Sequence, residues 1–132
     1  MAWIEVFAVF VVCHLGGDFL LQTNRQATHK FAGLGRDPEA RRALASHIVS
    51  YTAAFAPALI WLATDVGLWV IPIGLLIALP HMIQDDGRLL EAYMRRVKGI
   101  DENAPPGLRL AVDQSSHLLA LFLVALLAGS WA

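Results

Sequence analysis

The chain has 132 residues, of which 57% are hydrophobic and only 16% charged, with a formal net charge of -1. Its mean hydropathy is +0.55. A single soluble domain of this size cannot bury that much apolar surface, and a bilayer can, since about 20 apolar residues span its hydrocarbon core. The composition therefore predicts one all-α integral membrane domain over residues 1–132, and the lone Cys13 excludes an internal disulfide.

The first apolar segment, about residues 2–21, opens with Trp3, a residue suited to the membrane interface. It lacks the basic start and small-residue cleavage site of a secretory signal, so it reads as a first span. Cys13 is expected to be a packed thiol. His14 and Asp18 lie four residues apart, which sets both on one helical face. Gly16 and Gly17 allow close approach of another backbone.

Residues 23–42 are polar and basic, with Gly33, Gly35 and Pro38 interrupting any long helix. His29 reads here as solvated. A second span, about 43–64, carries Ser46, His47, Ser50 and Tyr51 in its first turns, and Pro57 is expected to kink it. Tyr51, one turn beyond His47, could donate to the site but reads first as a packing residue. Thr64-Asp65-Val66-Gly67 predicts a tight turn. A third span, about 68–84, contains Pro80 directly before His81, with Asp85 four residues further on.

Residues 88–97 alternate Leu89, Leu90, Tyr93, Met94 and Val97 with charged groups. That pattern predicts an amphipathic helix along the membrane surface. Residues 99–107, with Pro105 and Pro106, predict a loop. The fourth span, about 108–131, is polar at its start, with Asp113, Gln114, Ser115, Ser116 and His117, and aliphatic afterwards. The expected fold is a membrane four-helix bundle plus a cytoplasmic surface helix.

All ten Lys and Arg fall between Arg25 and Arg42 or between Arg88 and Arg109. The positive-inside rule then predicts both basic segments in the cytoplasm and both termini outside. With that orientation, Asp18, Asp85 and Asp113 each lie nearer the cytoplasm than their partners His14, His81 and His117. The order within the pair flips where the helix direction flips. His47 falls in the same layer. An ionised aspartate costs roughly 2.5–3.5 kcal/mol at a span centre. Turning all the pairs inward toward one shared site relieves that cost.

The motifs H-x-x-x-D-F-x-x-Q (His14, Asp18, Phe19, Gln22), the isolated His47 with Tyr51, H-x-x-x-D (His81, Asp85) and D-Q-x-x-H (Asp113, Gln114, His117) resemble a family of small bacterial integral membrane proteins classed as a domain of unknown function. Lys30 also fits the pattern, and Asp86-Gly87-Arg88 departs from it where a more basic run is expected. The resemblance covers nearly the whole chain and implies a membrane fold in the bacterial inner membrane, with no established activity. A looser similarity is to membrane-bound proteins described as metal-dependent hydrolases.

The expected site is a metal site made by His14, Asp18, His47, His81, Asp85, Asp113 and His117. Imidazole and carboxylate suit a divalent ion, zinc first, with manganese or iron as alternatives and a second bridged ion a further option. Some aspartates would instead orient histidines from outside the ligand set. A metal-bound hydroxide would attack a lipid or lipid-linked phosphate at the cytoplasmic leaflet. Arg25, Lys30, Arg88 and Arg109 ring the expected mouth, where they would hold an anionic headgroup. Two other readings compete: a proton or ion pathway, which the apolar outer halves of the spans argue against, and a structural or partner-binding role. Partners are expected to be the bilayer and a second copy or another membrane protein. The basic segments carry acids and no nucleic-acid reading motif, so nucleic acid is excluded as a partner.

Overall fold

A computed structural model describes residues 1–100 and 104–131. The part of the predicted 99–107 loop at residues 101–103 lies outside the described residues, as does position 132. All regular structure among the described residues is helical. The elements are α1 (Trp3–Leu15), a π-helical turn (Gly16–Leu20), α2 (Asn24–His29), α3 (Pro38–Ala54), α4 (Ala56–Val66), a 3-10 turn (Gly67–Trp69), α5 (Val70–Asp85), α6 (Arg88–Arg96) and α7 (Pro106–Trp131).

Three stretches are long and apolar enough to cross a membrane: Trp3–Leu20, Ala56–Asp85 and Gly107–Trp131. The chain is accordingly a membrane protein by length and composition. Outward-facing Val12, Leu20, Ile60 and Leu68 are 70%, 83%, 72% and 82% exposed. Water would penalise that surface and lipid does not. The segment expected as one span over 43–64 is two helices instead. Pro57 has no N–H to offer the preceding turn, so the helix breaks at Phe55 and restarts as α4. By contrast, α5 runs through Pro80 without a break and carries His81 and Asp85 at its end.

The direction of each helix follows from its contacts. Within the Ala56–Asp85 stretch, Gly67 sits at φ 58, a conformation that side chains resist, and the chain reverses there. Leu59 then meets Gly74, while His47 and Tyr51 meet His81, so α3–α4 runs antiparallel to α5. Trp3 packs edge-on to Phe122 while His14 bonds Gln114, so α1 and α7 are also antiparallel. A Cβ on Gly129 would stand 2.8 Å from that of Trp3, a closeness that only a residue without a side chain permits. At one end of the molecule lie Met1, Asp65, Trp69 and Trp131, the Met1 amino group 3.5 Å from the Asp65 carboxylate. The core between the helices is apolar there: Val6, Phe10, Phe55, Leu62, Ile73, Leu121 and Ala125.

The opposite end is closed by short polar elements. Thr23 caps α2 and exchanges hydrogen bonds with Gln26. Asp86, an acidic residue just past the end of α5, is buried. Burial alone would raise its carboxyl pKa; the Arg88 guanidinium and the Leu34 amide, 2.8 Å away, outweigh burial and hold it below the usual carboxylate range. Gly87, at φ 78, lets the chain turn into α6 under the Phe31 ring, where a Cβ would come within 2.7 Å. The Asp86-Gly87-Arg88 triplet is thus a clasp between the α2–α3 loop and α6. Asp86→Ala is expected to cost about 1–3 kcal/mol by stranding the Leu34 amide. It should open residues 30–37 to limited proteolysis; unchanged cleavage and unchanged melting would count against the clasp.

Candidate metal centre

The π-helical turn sets Asp18. An extra residue in the turn, closed by the Leu21 amide on the Gly16 carbonyl at 2.9 Å, rotates Asp18 relative to His14. Although the two share a face, they take different partners. Asp18 Oδ1 lies 3.3 Å from both His47 Nε2 and His81 Nε2. Asp85, at the end of α5, places Oδ2 2.7 Å from His47 Nε2 and 3.3 Å from His81 Nε2, and Oδ1 3.3 Å from His117 Nε2. His47 and His81 approach Nε2 to Nε2 at 3.2 Å. Four segments therefore deliver five side chains to one point: the π turn, α3, α5 and α7. All five are buried.

Within this cluster Asp18, His81, Asp85 and His117 each offer a donor atom, all within 4.8 Å of one another. Two ligands held at about 2.1 Å from one tetrahedral ion stand roughly 3.4 Å apart. The 3.3 Å contacts of Asp18 with His81, and of Asp85 with both His81 and His117, already have that spacing. His47 lies beside the quartet, closest to Asp85.

The protonation pattern is informative. His117 Nδ1 lies 2.9 Å from the Asp113 backbone carbonyl, which only accepts, so Nδ1 carries the hydrogen. In the neutral ring Nε2 then presents a lone pair toward the Asp85 carboxylate, 3.3 Å away, and in the charged ring it donates to it. Neither His117 Nε2 nor Asp18 Oδ1 makes any hydrogen bond, and both are buried. Acceptors facing acceptors in a dry site repel unless a cation lies between them. The Lys30 ammonium reaches the cluster, its Nζ donating to Asp85 Oδ2 at 2.7 Å and to Gln22 Oε1 at 2.8 Å. Those bonds compensate one carboxylate oxygen and leave Asp18 Oδ1 facing only the His47 and His81 ring nitrogens, each 3.3 Å away.

The other two predicted residues stand in a second layer. His14 turns its nitrogens to Tyr51 Oη at 3.0 Å and Gln114 Oε1 at 2.9 Å, and its Nδ1 is 3.7 Å from Asp18 Oδ2. Asp113 stays 3.8 Å from His117 Nδ1 with its carboxylate and holds that nitrogen through its backbone. Gln114 bridges the layers, its amide nitrogen 3.4 Å from Asp18 Oδ2 and 3.3 Å from Asp113 Oδ2. Of the seven residues expected at the site, five come together, and His14 and Asp113 lie beside them. Of the four basic residues expected at the mouth, Lys30 reaches the cluster. Arg88 is paired with Asp86, Arg25 with Glu39 and Arg109 with Glu91.

Tyr51 both packs on the cluster and bonds it. It stacks flat on the His81 ring, centroids 3.4 Å apart at 4°, while its hydroxyl holds His14. No sequence pattern encodes that stack. The one-turn spacing from His47 is the sole hint of it.

A model of the family described as "Protein of unknown function (DUF3307)" matches residues 6–131, which include every residue of this cluster. The chain belongs to the DUF3307 family. No curated protein and no solved structure matches it. For this DUF3307 chain the site itself is accordingly the guide to function.

Proposed function

We propose that this chain is a membrane-embedded metal protein, its ion held by Asp18, His81, Asp85 and His117, with His47 alongside. The observation that carries the reading is that buried Asp18, His81, Asp85 and His117 bring donor atoms within 4.8 Å of one another, with His117 Nδ1 engaged by the Asp113 carbonyl and Nε2 turned to carboxylate oxygen. A ligating histidine characteristically donates its other ring N–H to a carbonyl or carboxylate. Nitrogen and oxygen donors favour zinc, with manganese or iron also compatible.

Purification from cells grown in defined metals, followed by elemental analysis, tests the reading. The expected result is about one ion per chain for the wild type and a near-complete loss for His81→Ala. Metal-free wild-type protein would overturn it.

We further propose that the centre hydrolyses a phosphate ester of a lipid or lipid-linked substrate. Lys30 supports this, as a cation at the donor cluster suited to an oxyanion next to a metal-bound water. Metal-dependent phosphate release from lipid phosphates is the readout. If the loaded protein releases none, hydrolysis fails while the metal centre stands. A proton pathway has less support, because among the described residues the fully buried side chains beyond Tyr51 are apolar, such as Phe10, Phe55 and Leu62. A purely structural role has less support too, because hydrogen bonds satisfy neither Asp18 Oδ1 nor His117 Nε2.

The four-span arrangement in the bacterial inner membrane, with both basic segments cytoplasmic, is part of the proposal. Arg36→Cys and Leu68→Cys, placed one at a time in a Cys13→Ser background, should label from opposite faces of sealed vesicles. Labelling from one face would refute it.

A further inference from the structure

Beside the metal centre, α5, α6 and α7 enclose a cavity of about 610 Å³. That falls within the roughly 300–1,000 Å³ of small-molecule sites. Its walls are apolar and open: Leu89 and Tyr93 on α6 and Leu119 on α7 are 61%, 43% and 60% exposed. Its lining also includes the polar residues Gln84, Asp113 and Ser116. Lys98 forms part of the lining just past the end of α6.

Three features point to one occupant. The cavity lies where two span-length apolar stretches end, at Asp85 of α5 and at the start of α7, so its open wall continues the lipid-facing surface. The helix that roofs it is amphipathic and ends in a basic run, Arg95, Arg96 and Lys98, a pattern that attracts anionic lipid. Polar Gln84, Asp113 and Ser116 in the lining suit a headgroup bearing hydroxyls.

We propose that this cavity binds an anionic glycerophospholipid with a hydroxylated headgroup, its chain along Leu89 and Leu119 and its phosphate at Lys98. The site stands apart from the ion. The metal cluster does not line the cavity, and Asp113 is the link between them, through the backbone carbonyl that holds His117. A lipid resting on Asp113 would therefore sit one residue from the metal ligands.

The test uses the full chain in detergent, stripped of lipid, with and without chelator. Phosphatidylglycerol and phosphatidylcholine of identical chains are added separately, and retained lipid is read by native mass spectrometry. Phosphatidylglycerol should be retained in preference, in chelated and loaded protein alike. Lys98→Gln should lower that preference by about fivefold, the effect of roughly 1 kcal/mol per basic residue. Leu119→Trp, at an exposed position on the cavity wall, should narrow the cavity and lower retention without changing metal content. Glycerol 3-phosphate should not displace the lipid, because it lacks the chain. Equal retention of the two lipids, retention undiminished in Leu119→Trp, or displacement by glycerol 3-phosphate would each overturn the proposal. Since the lipid assay is read on chelated protein, its failure is separable from failure of the metal reading.

Discussion

Replacing Asp85 with alanine is expected to abolish metal binding and to destabilise the chain. Asp85 is the most connected member of the cluster, touching His47, His81, His117 and Lys30 with its two oxygens. Its removal takes away a ligand and the acceptor of the Lys30 ammonium in one step. Losing one partner of a buried pair costs about 3–5 kcal/mol, because the other charge is left without compensation. Lys30 is only 18% exposed at its side chain, so most of that cost should be felt. Metal affinity should fall by more than the roughly 10–100-fold typical of outer-shell partners. The double variant Asp85→Ala/Lys30→Met separates the two effects. It should recover much of the lost stability in a thermal melt and none of the metal. Recovery of metal in the double variant, or full retention in the single one, would remove Asp85 from the centre.

The second large effect is expected at a residue with no side chain. A Cβ on Gly17 would lie 2.6 Å from Cδ2 of Tyr51 and 3.4 Å from its Cα. Tyr51 has little room to retreat, because its ring lies flat on His81 and its hydroxyl holds His14. Overpacking of a close-packed core typically costs about 1–3 kcal/mol. Gly17→Ala should therefore lower the melting temperature and weaken metal binding together, through displaced His81. At the neighbouring Gly16 a Cβ would meet nothing within 4 Å, so Gly16→Ala should do neither. Equal behaviour of the two variants would show that Tyr51 does not position the cluster.

Much of the fold is legible in the sequence because hydropathy and charge are local properties of a chain. Apolar stretches near α1, α4–α5 and α7 stand out by length. The i,i+4 spacing of His14/Asp18, His81/Asp85 and Asp113/His117 marks faces, since a helix repeats nearly every fourth residue. The reversal of their order between spans of opposite direction points to one layer, and five of the seven residues do meet.

Other features depend on partners far away in sequence. Whether His14 faces Asp18 or Tyr51 turns on a π turn whose extra residue leaves no mark in periodicity. The stack of Tyr51 on His81 joins residues of different helices, and nothing in either segment alone encodes it. The same holds for Asp86: its acidic character is plain in the sequence, but only the docking of Leu34 against it removes it from water. Sequence alone determined the apolar stretches and the residues with chemistry to offer, because each follows from local composition and helical repeat, while the break at Phe55 and the short α2 did not stand out in it. The tertiary structure decided which five share a point and which two stand behind them, because packing between helices sets that choice through distances of a few tenths of an ångström.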